Sequence, residues 1–143
     1  MDRFEYPVIL TATKEGGFVV TCRDLPQLIT QGEYQADALA QAADAMDEVF
    51  ATYMLNNMPF PTPSTMELGE YCVAPPAQTM AKAALYTAMS KANITKVQLA
   101  KTMGIDEKEV RRLLDPHYAS KLPRIAQAIG SLGKRLVIGL ETA

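Results

Sequence analysis

ITKVQLAKTMGIDEKEVRRLLDP, residues 94–116, decides how this chain is read. Leu99, Met103, Ile105, Val110 and Leu113 are apolar at spacings that form a small core between two short helices. Ala100 is small where the second helix must come close, and Gly104 stands at the turn, where a positive φ is needed. Asp106 is placed to cap the second helix, with Glu109 completing an Asp-x-x-Glu capping box. That helix is predicted at about residues 107–114 and points Lys108, Arg111 and Arg112 outward. Such a helix fits the major groove of DNA, where arginine and lysine meet phosphates or guanine edges. Glu107 either repels the backbone there or accepts from a cytosine. Lys96, Gln98, Lys101 and Lys121 complete the predicted DNA-contacting set, with Lys96, Lys101, Lys121 and Arg124 as phosphate anchors. The competing reading is a helix pair that only packs against other helices.

The flanks support a small helical domain. MAKAALYTAMSKA (residues 80–92) carries Ala84, Leu85, Ala88 and Met89 on one side and predicts a helix packed under the pair. SKLPRIAQAIGSLG (residues 120–133) predicts another, with Leu122, Ile125, Ile129 and Leu132 apolar. KRLVIGL (residues 134–140) is a β-rich run and is expected to form a strand. It either joins a sheet in the other half of the chain or pairs with its own copy. The second option makes Leu136, Val137, Ile138 and Leu140 a homodimer interface, with tetramers a further step of assembly. Two copies suit DNA reading, since they engage two half-sites.

The net charge of −2 contradicts a DNA-binding reading only at first sight. Through Pro76 the chain has three basic and eleven acidic residues, a net −8; from Ala77 onward it has eleven basic and five acidic, a net +6. The sign changes at PPAQ (residues 75–78), which we take as the boundary between domains 1–76 and 77–143. The DNA-like motif lies in the basic part.

The acidic part reads as strands followed by a helix. FEYPVILTA alternates, with Phe4, Tyr6, Val8 and Leu10 on one face. Pro7 cannot donate to a ladder, so this strand sits at an edge or is locally free on one side. KEGG (residues 14–17) predicts a turn, GFVVTC a returning strand and LITQG a third. From Gln35 to Met54 the period changes: Leu39, Ala42, Ala43, Met46, Phe50, Tyr53 and Met54 form a helical stripe. NNMPFPTPS ends the helix, because closely spaced prolines cannot continue it, and EYCVA predicts a last strand. Asp37, Asp44, Asp47 and Glu48 lie largely off the stripe. They are either a solvated face or, together with Asp24, a surface for a basic protein partner.

Composition and motifs exclude several classes. With 48% hydrophobic and 21% charged residues the chain is ordinary globular material. No apolar run approaches the ~20 residues of a membrane helix, and the N-terminus lacks a secretory pattern, so a cytoplasmic protein is expected. Cys22 and Cys72 are then expected as small buried hydrophobes. His117 is the single histidine and has no clustered cysteines or carboxylates around it in sequence. No metal, cofactor or catalytic constellation is expected.

The two halves together carry a resemblance. YPVILTATKEGGFVVTCRDLPQLITQGEYQADALAQAADAM resembles the HicB antitoxin family through Tyr6-Pro7, Glu15-Gly16-Gly17, Asp24-Leu25-Pro26, Thr30-Gln31-Gly32 and the alanine-rich helix with Ala38 and Ala42. PFPTPS resembles that family's proline segment, and residues 111–140 resemble its variant with a helix-turn-helix tail. Gln27 departs from the glycine or glutamate frequent there. The resemblance implies an α+β chain. Its N-terminal part would be a partial ribonuclease-H-like β-β-β-α-β domain without the nuclease carboxylates. An all-helical Xre/Cro-like helix-turn-helix domain would follow, ending in a strand. It further implies a HicA-type toxin, a small basic mRNA-cleaving ribonuclease, as partner, and operator DNA of its own promoter as a second target. The alternatives are a stand-alone helix-turn-helix regulator with a ligand-sensing N-terminal domain, and an enzyme with weak residual nuclease activity.

Overall fold

The computed structural model describes residues 1–142 and divides into two compact units, Met1–Met80 and Ala81–Ala143. In the first, β1 (Tyr6–Ala12), β2 (Phe18–Thr21) and β3 (Ile29–Gly32) form an antiparallel meander. α1 (Gln35–Leu55) follows, and β4 (Glu70–Val73) returns beside β1 to complete the order β3-β2-β1-β4. The expected β-β-β-α-β succession is therefore present. Pro7 lies opposite Cys72 of β4, while β2 pairs with β1 only from Ile9 onward. Of the two options for Pro7, the locally free side holds: β1 is central, but its missing donor leaves no ladder bond unmade.

The register sorts the strands into two faces. Tyr6, Val8, Val20 and Val73 are buried under α1 with Ala38, Ala42, Met46, Phe50 and Tyr53. The helix is turned slightly from the expected stripe: Ala38 and Val49 are buried, whereas Leu39 and Ala43 are only half-buried. Close approach is the reason. A Cβ on Gly32 would stand 2.4 Å from the Cα of Ala38, so β3 and the first turn of α1 touch backbone to backbone. At the helix start the Asp37 carboxylate accepts from the Glu33 amide at 2.8 Å, because Tyr34 at the cap position has no side-chain acceptor in use.

The proline segment does more than stop α1. Phe60 stacks on Tyr53 at 5.6 Å between centroids and contacts Phe50 and Phe4. The Tyr6 hydroxyl donates to the Pro61 carbonyl at 2.7 Å. Gln27 accepts from the Tyr53 hydroxyl at 3.1 Å, so the atypical residue is used in packing. Cys22 is buried as expected; Cys72 is not, because it lies on the sheet face away from α1, and that expectation is corrected.

The second unit is helical. α2 (Ala77–Ala92) crosses the boundary between the units. α3 (Lys96–Met103), α4 (Glu107–Leu114) and α5 (Leu122–Ser131) enclose Leu85, Met89, Leu99, Ala100, Val110, Leu113, Ile125, Ala128 and Ile129. Met103, Ile105 and Leu132 border this core, and Leu122 is exposed, against expectation, because it is the first residue of its helix. Residues 134–142 form no strand, which corrects the predicted C-terminal strand. The second unit's described elements are helices, so the segment finds no backbone ladder there, and it does not enter the four-stranded sheet. Leu136 rests against the helical core; Val137, Ile138 and Leu140 are exposed.

Candidate functional site

α3 and α4 are set by their caps. Thr95 and Gln98 form a reciprocal capping box at the start of α3: the Thr95 hydroxyl accepts from the Gln98 amide, and the Gln98 side chain accepts from the Thr95 amide. Gly104 ends α3 at φ +67°, the left-handed turn expected of it. Asp106 caps α4 by accepting from the Lys108 amide at 2.8 Å. The box predicted with Glu109 does not form, and this is a correction. The Glu109 carboxylate instead accepts from Nε and Nη2 of Arg124, at 2.9 and 2.6 Å. Two guanidinium N–H groups converging on one carboxylate oxygen compete better than one backbone amide does.

The predicted DNA-contacting residues separate by their partners. Lys96 and Lys101 on α3, Lys108 and Arg112 on α4, and Lys121 before α5 have exposed side chains. Gln98 is exposed with its carbonyl oxygen spent on the cap. Arg111 is exposed and ion-paired with Glu107 one turn earlier at 2.8 Å, a surface pair that costs little to open. Arg124 is engaged by Glu109 and donates to Gln127, so it is less available to a phosphate than Lys121. An open groove runs beside α4, its lining carrying Lys108, Arg112, Lys121 and Arg124 together with the carboxylates of Asp106 and Glu109.

Lys82 is the residue that sequence reading missed. It lies on α2 and has no exposed surface. Its ammonium donates to the carbonyls of Arg112, Asp115 and Tyr118, at 2.7, 2.7 and 2.6 Å, and to the Ser120 hydroxyl at 2.8 Å. The first of these carbonyls belongs to the last turn of α4, where a cation also meets the negative end of the helix dipole. Burial pushes Lys82 down to about 8, with the Asp115 carboxylate opposing. The missed signal is spacing: Lys82 stands three and seven residues before Leu85 and Met89, inside the apolar stripe of its helix.

On the first unit the predicted acidic residues also divide. Asp24 accepts from the Ser64 amide and hydroxyl at 2.9 and 2.6 Å, fastening the proline segment. Asp37 accepts from the Glu33 amide just ahead of α1, and Asp47 accepts from the Thr79 hydroxyl. Asp44 and Glu48 are exposed on α1. Next to Asp24, Arg23 forms a two-pronged pair with Glu70 at 2.9 and 2.8 Å and donates to the Thr65 carbonyl. That pairing holds the Glu70 carboxyl below its ordinary range.

Both the sheet-and-helix unit and the start of α2 coincide with a known family. Residues 5–84 match the HicB_like antitoxin family of bacterial toxin-antitoxin systems. The chain belongs to this family of HicB-like antitoxins. It is 35% identical to Antitoxin HicB of Escherichia coli (strain K12) over 131 residues, covering 92% of this chain and 95% of that one. It is 30% identical to Antitoxin HicB 1 of Photorhabdus laumondii over 99% of this chain and 90% of the relative. Antitoxin HicB of Pseudomonas fluorescens is 30% identical over 98% and 96% of the two chains. These likenesses run past residue 84 and so include the helical unit. In this HicB-like chain no helix among the described residues is long and apolar enough to cross a membrane. No cluster of three or more potential metal ligands occurs among the described residues either.

Proposed function

We propose that the chain is the antitoxin of a type II toxin–antitoxin pair, with one task in each unit. The first unit binds and inhibits a HicA-type mRNA ribonuclease. The second is a helix-turn-helix of the Xre/Cro kind that binds promoter DNA and represses its own operon as a homodimer. Family membership carries the first task; the division of charge at Pro76/Ala77 supports the assignment of tasks. A net −8 unit suits a protein whose RNA-binding face is positive, and a net +6 unit suits a polyphosphate. Asp44 and Glu48, both exposed on α1, are the acidic residues offered to the toxin. Lys96, Lys101, Lys108, Arg111, Arg112 and Lys121 are offered to DNA. The exposed run Val137, Ile138 and Leu140, extended from Leu136, supplies the contact between copies.

The test is co-expression of the full-length chain with the HicA-type toxin of its own cell, beside a reporter driven by the promoter of its own gene. Restored growth together with a silenced reporter supports both tasks. Continued growth arrest refutes the first, and an unchanged reporter refutes the second.

A further inference from the structure

We infer that Lys82 is a positioning residue for DNA binding, holding Arg112 and Tyr118 as one preformed unit at the end of α4. The inference rests on the proposed reading of α4 as the DNA-facing helix. Three N–H donors of a single ammonium face four acceptors, so the group is fully satisfied although no part of it reaches solvent. Two of those acceptors are the backbone carbonyls of Arg112 and Tyr118. Above them the Arg112 guanidinium lies 5.4 Å from the centroid of the Tyr118 ring. The Lys82 ammonium itself lies 5.8 Å from that centroid, so one group bears on the backbone and the ring of the pair together. The Ser120 hydroxyl extends the hold to the segment just before Lys121.

A buried lysine is a poor choice for stability alone. An apolar side chain at this position would join the adjoining Leu85 and Met89 without the desolvation cost of a charge. What the ammonium supplies, and a methyl group does not, is three N–H donors aimed at acceptors in the last turn of α4 and in the chain that follows it. That chain carries Tyr118 and Lys121 into the groove beside α4. Pre-organising an arginine and a lysine removes ordering cost from each phosphate or base contact they make. Lys82 touches no DNA itself.

The test uses the full-length chain and a duplex from immediately upstream of its own coding sequence, with a scrambled duplex as control. Affinities are measured well below the unfolding temperature of every variant. Lys82→Met weakens binding about tenfold, the scale of losing hydrogen bonds to a charged group. Arg112→Ala alone gives a loss of the same order. Because both act through one unit, the double variant is little weaker than either single one. A folded Lys82→Met chain that binds like wild type, or losses that add in the double variant, overturns the inference. If circular dichroism shows that Lys82→Met unfolds the second unit, Ser120→Ala takes its place in the same cycle. Its expected loss is about threefold, and an additive or absent effect is equally fatal. A wild-type chain that does not prefer the upstream duplex overturns the DNA reading and the inference with it; that failure is visible in the wild type alone.

Discussion

Glu109 and Arg124 are joined by two hydrogen bonds across the groove side of α4, at 2.9 and 2.6 Å. The pair cancels one negative and one positive charge on the face proposed for DNA. Glu109→Gln keeps the shape, weakens the hold on Arg124 and removes a repelling charge. We expect DNA affinity to rise about threefold and the salt dependence to steepen by roughly one counterion. A salt titration of binding checks both, and weaker binding with an unchanged slope would count against the assignment of this face.

Arg111→Ala combined with Arg112→Ala should remove operator binding, with each arginine contributing about 1–3 kcal/mol of discrimination. Toxin binding should be untouched. Equal loss of both activities contradicts the division of labour between the units.

Acidic residues on the first unit should sort by their partners. Asp24→Ala strips two hydrogen bonds from Ser64 and should lower the unfolding temperature, with a stability loss of about 1–3 kcal/mol. Asp44→Lys with Glu48→Lys, both exposed, should lower that temperature less than Asp24→Ala does and weaken toxin binding at least tenfold by charge reversal. Thermal unfolding and titration calorimetry on the same samples separate the two. A double charge reversal that binds toxin normally moves the interface away from this part of α1.

Gly32→Ala should destabilise the first unit by about 1–3 kcal/mol, because the new methyl has only the backbone of Ala38 to displace. Urea unfolding reads the change directly. A neutral result would mean that β3 and α1 are farther apart than the close approach described.

Lys82 should titrate near pH 8, against 10.5 for an ordinary lysine. Below 8 the folded and unfolded chains both hold this proton, and the fold bears the full burial cost. Between about 8 and 10.5 the unfolded chain holds it and the folded chain does not. Unfolding therefore becomes harder with rising pH on account of this group. Carbon-labelled lysine spectra across pH 7–11 give the midpoint. A midpoint above 10 would mean that the three backbone carbonyls fully offset burial.

Much of this architecture is legible in the residues, and the exceptions share a physical cause. Alternation placed the strands, and Gly104, Val110 and Leu113 placed the turn and α4, because local periodicity and positive φ are local facts. What a carboxylate or lysine faces is not local. Glu109 has the spacing of a cap, yet its partner Arg124 lies fifteen residues on. Asp24 was read as surface, yet Ser64 turns it inward from forty residues away. Lys82 draws no notice in the sequence, because the carbonyls that hold it lie more than thirty residues on. The tail at residues 134–140 has strand composition without a strand, since composition does not supply a neighbouring backbone. The sets proposed for DNA and toxin are readable as residue types, while the partners that hold some of their members within the fold are not.

Capture of the tagged full-length chain from its native cell, followed by an RNA-cleavage assay on whatever co-purifies, tests the central claim most directly. The account predicts a stoichiometric small basic protein that cleaves mRNA once released and stops cleaving when the chain is added back. A captured partner whose cleavage is indifferent to the chain, or DNA with no small protein at all, would contradict it.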